Sequence, residues 1–168
     1  MKKASGLIRC IKGMVLALLL VVAAAGIGIS APGGSQTVTV AAGASIDITV
    51  PGAAAIASTA PPNCGTTSTT INMKSNRPWN LQIRSEPVTY PSGKAKDGGG
   101  TEMTNAFQYM GGDVAAYTAI TSSYANLFTG NQARTGNRDI AVDYQQCVDY
   151  MDAPATYTIV VEYLGVQP

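Results

Sequence analysis

The sequence predicts an all-β protein, an antiparallel β-sandwich of about seven to nine strands standing behind an N-terminal leader. Three observations predict it. Past residue 31 apolar and polar residues alternate with period two in short stretches, and helical periodicity is nowhere sustained. Clusters of Gly, Pro, Asn and Asp separate those stretches and supply turn chemistry between them. Only 12% of the residues are charged, while Thr, Ser, Ala, Gly and Tyr are plentiful, a composition suited to strands with one wet face.

The first element is the leader. Lys2, Lys3, Arg9 and Lys12 form a cationic region, followed by an apolar run from Met14 to Ile29 of about sixteen residues. Small residues at Ser30 and Ala31 precede the helix-breaking Pro32-Gly33-Gly34. The run is short for a permanent span, so residues 1–31 read as a secretory signal peptide, cut after Gly26, Ser30 or Ala31. Lys12-Gly13 ahead of the run resembles a prepilin-peptidase site, with Leu18 where the usual glutamate would stand; Cys10 precedes the apolar run and is a bystander. Residues 32–168 then form one exported domain, secreted or held at the cell surface, and only the uncleaved leader meets a membrane. Losing the four leader cations leaves seven basic against ten acidic residues, a net charge of about −3 that argues against a nucleic-acid partner.

Two cysteines remain, Cys64 and Cys147. An even pair in an oxidising compartment reads as a disulfide, closing a loop of roughly 80 residues for about 4 kcal/mol.

The strands follow in order. Thr37-Val38-Thr39-Val40 is a short alternating strand. Ser45–Val50 is a second, with Ile46, Ile48 and Val50 on one face, ended by Pro51 and an Ala-rich connector to Cys64. Thr69–Lys74 turns Ile71 and Met73 inward, and Trp79–Arg84 turns Trp79, Leu81 and Ile83 inward. Residues 85–101 hold Pro87, Pro91 and Asp97-Gly98-Gly99-Gly100, a long flexible loop suited to recognition. Phe107–Met110, Ala116–Ile120 and Asn126–Thr129 are shorter strands, and residues 130–137 a polar turn. Asp139–Tyr144 leads to Cys147, and Tyr157–Tyr163 closes the chain with Tyr157, Ile159 and Val161 in the core.

Asp152-Ala153-Pro154-Ala155-Thr156-Tyr157 is similar to the tyrosine corner of immunoglobulin-like sandwiches, in which the Tyr hydroxyl ties back to the backbone. That likeness makes the sandwich immunoglobulin-like or pilin-like, and in such a frame a further strand follows the corner strand. Here the Thr37–Val40 segment, from this chain or another copy, is the candidate to supply it by strand donation. Trp79-Asn80-Leu81 and Val148–Pro154 resemble the two motif regions of secreted prokaryotic WxL surface proteins, with Tyr150 in place of the second tryptophan, and the ending resembles fimbrial and pilin-type subunits. Either resemblance implies attachment or assembly at a cell surface and no reaction.

Residue chemistry points the same way. The chain has no histidine, which removes His-based acid–base catalysis, Ser-His-Asp triads and most zinc sites. Asp139 and Asp143 would sit about 13 Å apart along a strand, too far for a glycosidase pair. Asp139, Asp143, Asp149, Asp152 and the Asp97 loop offer oxygen ligands of the kind calcium takes, without EF-hand spacing. No cofactor is expected. The expected partners are other copies of the chain or a cell-envelope polymer. The first reading is a non-enzymatic surface structural protein, a filament subunit assembling by strand donation. The alternative is a monomeric adhesion or wall-binding module using exposed tyrosines such as Tyr90, Tyr109 and Tyr124.

Overall fold

The computed structural model describes residues 39–168, apart from the side chains of residues 130 and 131. The signal-peptide expectation, Cys10, Thr37 and Val38 lie outside the described residues. Ala42–Pro168 is a compact unit. It holds eight strands: β1 (Ile46–Thr49), β2 (Cys64–Ser75), β3 (Trp79–Ser85), β4 (Gln108–Gly111), β5 (Val114–Ala119), β6 (Ala125–Gln132), β7 (Thr135–Cys147) and β8 (Val161–Val166). They form an antiparallel sandwich of a five-stranded sheet, β1-β2-β7-β4-β5, and a three-stranded sheet, β6-β3-β8. No helix occurs among the described residues.

Alternation explains the core. In β3, Trp79, Leu81 and Ile83 are fully buried while Asn80, Gln82 and Arg84 are only half-buried, as period two requires. From the larger sheet Ile71, Met73, Tyr109, Ile140, Val142 and Tyr144 meet them, with Phe107, Ile120 and Leu127 filling the margins. Each such side chain taken wholly out of water contributes about 1.5–3 kcal/mol. Trp79 is fixed as well as buried: its Nε1 donates to Ala133 O at 2.9 Å, and its ring meets Phe128 edge-on at 5.9 Å. Arg138 lies over both rings, at 5.5 Å from Trp79 and 4.9 Å from Phe128.

The longest ladder joins β2 to β7, from Cys64↔Cys147 to Ser75↔Thr135. Its first rung is the disulfide between Cys64 and Cys147. This ladder also accounts for two boundary differences. β2 begins at Cys64 rather than Thr69, because Thr66, Thr67 and Ser68 find partners on β7. The polar turn expected over residues 130–137 shrinks to Ala133-Arg134, because Gln132 pairs with Trp79 and Thr135 with Ser75.

The last strand is displaced. β8 starts at Val161, since the backbone of Thr158 and Val160 is already taken: Thr158 exchanges two bonds with Lys96 at 2.8 and 2.9 Å, and Val160 O accepts from Glu86 N at 2.9 Å. Ile159 and Val161 pack half-buried against the core. Tyr157 corrects the expectation: it stands outside the core, its hydroxyl donating to Ala153 O at 2.9 Å, so the tie-back holds the ring along the turn.

The 85–101 loop is folded down onto the sandwich rather than free. Tyr90 and Ala95 are buried, with Met103 just beyond. The Glu86 carboxylate accepts from the backbone of Val88 and Thr89 at 2.8 and 2.7 Å, and Asp97 Oδ1 accepts from Gly99 and Thr101 at 2.9 and 2.8 Å. These carboxylates satisfy backbone donors that a sheet would otherwise satisfy, which lets a chain without strands pack closely.

Candidate functional site

An antiparallel sandwich offers two kinds of surface, its strand edges and its loops. Four strands are outermost: β1 and β5 in the large sheet, β6 and β8 in the small one. The β6 edge is occupied. The two-residue turn between β4 and β5, with Gly112 at φ 60°, lays Asp113 against it. Asp113 N donates to Leu127 O at 2.9 Å, and its Oδ2 accepts from Thr129 N and Oγ1 at 2.7 and 2.9 Å. The Thr129 bonds hold the Asp113 carboxyl below the usual aspartate range.

The β8 edge is different. Among the described residues β8 has one ladder neighbour, β3, paired without a bulge from Asn80↔Val166 to Ser85↔Val161. Its outward side chains are Glu162, Leu164 and Val166, the last two 39% and 37% exposed. Glu162 is held by Arg84 at 2.7 Å, and Arg84 also lies 4.1 Å over the Tyr124 ring. Inward, β8 faces β1. Gly165 makes this possible, since a Cβ there would stand 2.7 Å from Ile46 Cδ1 and 2.9 Å from Ile48 Cδ1. Gln167 Nε2 ties the strand's end to Ser45 O at 2.7 Å and Ser75 Oγ at 2.8 Å. Along this side Ile46, Ile48, Val161 and Tyr163 are packed against the core yet only half-buried. The Tyr163 hydroxyl meets that of Tyr144. Burial, reinforced by that neighbouring phenol, pushes Tyr163 well above its ordinary range; burial also raises Tyr144.

The loops gather at the other end of the strands. Asp152 organises them: its Oδ1 accepts from Thr104 N and Oγ1 at 2.7 and 2.8 Å, and its Oδ2 from Asp149 N at 2.8 Å. Burial opposes ionisation there but these bonds outweigh it, and the Asp152 carboxyl titrates below the usual range. The tip of this turn presents Tyr150 and Met151, 76% and 84% exposed.

The residues singled out from sequence separate cleanly. Cys64 and Cys147 are bonded, and Trp79, Leu81 and Ile83 are central to the core. Thr39 and Val40 lie in no strand, and Val40 is 83% exposed. Tyr90 and Tyr109 are buried rather than exposed, and Tyr124 lies under Arg84, so none of the three is a free binding ring; Tyr150, which carried no strand signal, is the exposed one. The acids do not converge. Asp139 accepts from Asn72 at 2.7 Å, Asp143 accepts from Ser68, and among the described residues no group of three or more His, Cys, Asp or Glu is placed to hold a metal ion. A shallow cleft of about 620 Å³ opens beside β1, lined by Asp47, Lys74, Asn76 and Arg134 among others. Compared with known proteins, the chain matches no family model, no curated protein and no solved structure.

Proposed function

We propose that the protein is an exported, non-enzymatic structural subunit of the cell surface that assembles with copies of itself by strand donation. The observation that carries this reading is the bare β8 edge, six residues of regular strand with one ladder neighbour and half-buried apolar side chains behind it. A sheet edge of that kind is a template for a further strand. The alternating Thr37–Val40 segment, whose described part lies in no strand, has the pattern of a donor. The disulfide between Cys64 and Cys147 suits an oxidising compartment. Electron microscopy of the exported protein, with and without residues 32–41, tests the reading. Fibres or rings are expected from the intact protein and monomers from the truncated one; equal assembly by both excludes strand donation.

A second reading has its own observation. Tyr150 and Met151, exposed at the loop end, suit a monomeric module that holds an envelope polymer. A monodisperse protein retained on cell-wall material, with retention lost in Tyr150→Ala, would favour it.

A further inference from the structure

Taking the assembly reading as its basis, we propose that the acceptor is the outer edge of β8, where residues 37–40 of a second copy add as a fourth strand to the small sheet. Elimination among the edges leads there. The β6 edge is closed by Asp113. β1 offers only four residues with Asp47 among them, a charge of the sort that keeps other strands away. β5 is bulged against β4, its register shifting between Tyr109↔Thr118 and Gly111↔Val114, and beside Thr118 its exposed residues are Ala115, Ala116 and Ala119, small side chains that give an incoming strand little to cover. β8 carries none of the usual guards. It has no proline, no bulge and no lysine, and its one charge, Glu162, is neutralised by Arg84 at 2.7 Å.

The surface behind the edge asks for a particular sequence. Ile46, Ile48, Val161 and Tyr163 remain half-buried where β1 and β8 meet at the margin of the two sheets. A strand laid along β8 with alternate apolar residues would cover them, and Val38 and Val40 are so spaced, leaving Thr37 and Thr39 on the outward row beside Leu164 and Val166.

Geometry also decides between one copy and two. The chain enters the sandwich at Ser45, which Gln167 fixes at the C-terminal end of β8. A segment running toward Ser45 along its own β8 would lie parallel to it, in a sheet whose every other pairing is antiparallel. A second copy can bring the same segment in antiparallel, the more stable arrangement.

Cysteine trapping in the full exported chain tests this. Thr39→Cys protein mixed with Leu164→Cys or Val166→Cys protein should give covalent heterodimers under mild oxidation. A Thr39→Cys/Leu164→Cys double variant should give a ladder of multimers on a non-reducing gel. Val40→Asp added to the double variant should cut that ladder by about tenfold or more while leaving the thermal melt of the sandwich in place. Multimers that trap Thr39→Cys against Thr118→Cys on β5 instead would overturn the β8 assignment and leave the assembly reading standing. A cross-link confined to one chain would show self-closure and overturn the proposal. Monomers at every concentration would remove the assembly reading itself, and the acceptor with it.

Discussion

Cleaving the bond between Cys64 and Cys147 gives the sharpest test of how this sandwich is held together. The two residues are 83 apart in sequence and face each other at the first rung of the β2–β7 ladder. Cys64 is exposed and Cys147 half-buried, so Cys64→Ser/Cys147→Ser opens no large cavity, and its cost lies in the freedom returned to the unfolded chain. For a loop of that length the chain-entropy relation gives about 4.5 kcal/mol at room temperature. In a unit the size of Ala42–Pro168, with unfolding entropy in proportion to length, that lowers the melting temperature by about 15 °C. Urea unfolding by tryptophan fluorescence, with Trp79 as the single reporter, measures the effect directly. The dependence on urea should also steepen, because an unstapled denatured chain exposes more surface. A double variant within about 1 kcal/mol of the parent, with an unchanged urea slope, would refute the reasoning.

Four further outcomes follow from the same structure. Tyr163→Phe leaves the Tyr144 hydroxyl without its partner and should cost about 1–3 kcal/mol, whereas Tyr144→Phe/Tyr163→Phe should lie nearer the parent in the same urea assay. Because the fold raises both phenols, the unfolded chain ionises first; stability is full below about pH 10 and falls as pH rises above it, a loss the double Phe variant should reduce to the share of the buried Tyr109 in an alkaline titration followed by circular dichroism. Gly112→Ala should destabilise by about 2–4 kcal/mol, since φ is positive there and the added Cβ meets Leu127 O and the Phe128 ring; a melt unchanged by it would contradict the packing of the turn on β6. At low pH the sign reverses. Glu86, Glu102, Asp113 and Asp152 all titrate below their usual range, so their contribution is complete above about pH 4 and disappears as pH falls further; Asp113→Asn should flatten the acid limb of a urea-midpoint profile.

Much of the fold was legible because burial and alternation coincide. Trp79, Leu81 and Ile83 declare the central strand of the small sheet, and Ile71, Met73, Ile140 and Val142 declare the longest strand pair of the large one. What escaped was pairing dictated from a distance. Thr135-Gly136-Asn137-Arg138 has the composition of a turn and becomes a strand because β2 presents partners across to Ser75. Tyr157 fits the alternation of the last strand, yet the loop bearing Lys96 claims the backbone beside it first. Tyr90 and Tyr109 could be placed on a strand or loop by sequence but not on its inner or outer side, which only the sheet order decides. The packing of the 85–101 loop did leave a signal. Glu86 stands two and three residues ahead of the amides it caps, and Asp97 precedes Gly98-Gly99-Gly100-Thr101 in the manner of an Asx turn. The β8 edge was the least visible feature, since an unoccupied side of a strand is a property of the assembled sheets rather than of any residue.

The chain enters the sandwich at Ser45 and leaves it past Gln167, two points joined by a hydrogen bond at the foot of the molecule. Tyr150 and Met151 belong to the opposite pole, past the far end of a twelve-residue strand that spans about 40 Å. A pull on the polypeptide before Ser45 would therefore load the sandwich at this foot, at the opposite end of the β2–β7 ladder from Tyr150 and Met151. Tyr150 and Met151 make no contact with that footing, so substitutions at the two positions should leave the Ser45–Gln167 closure as it is.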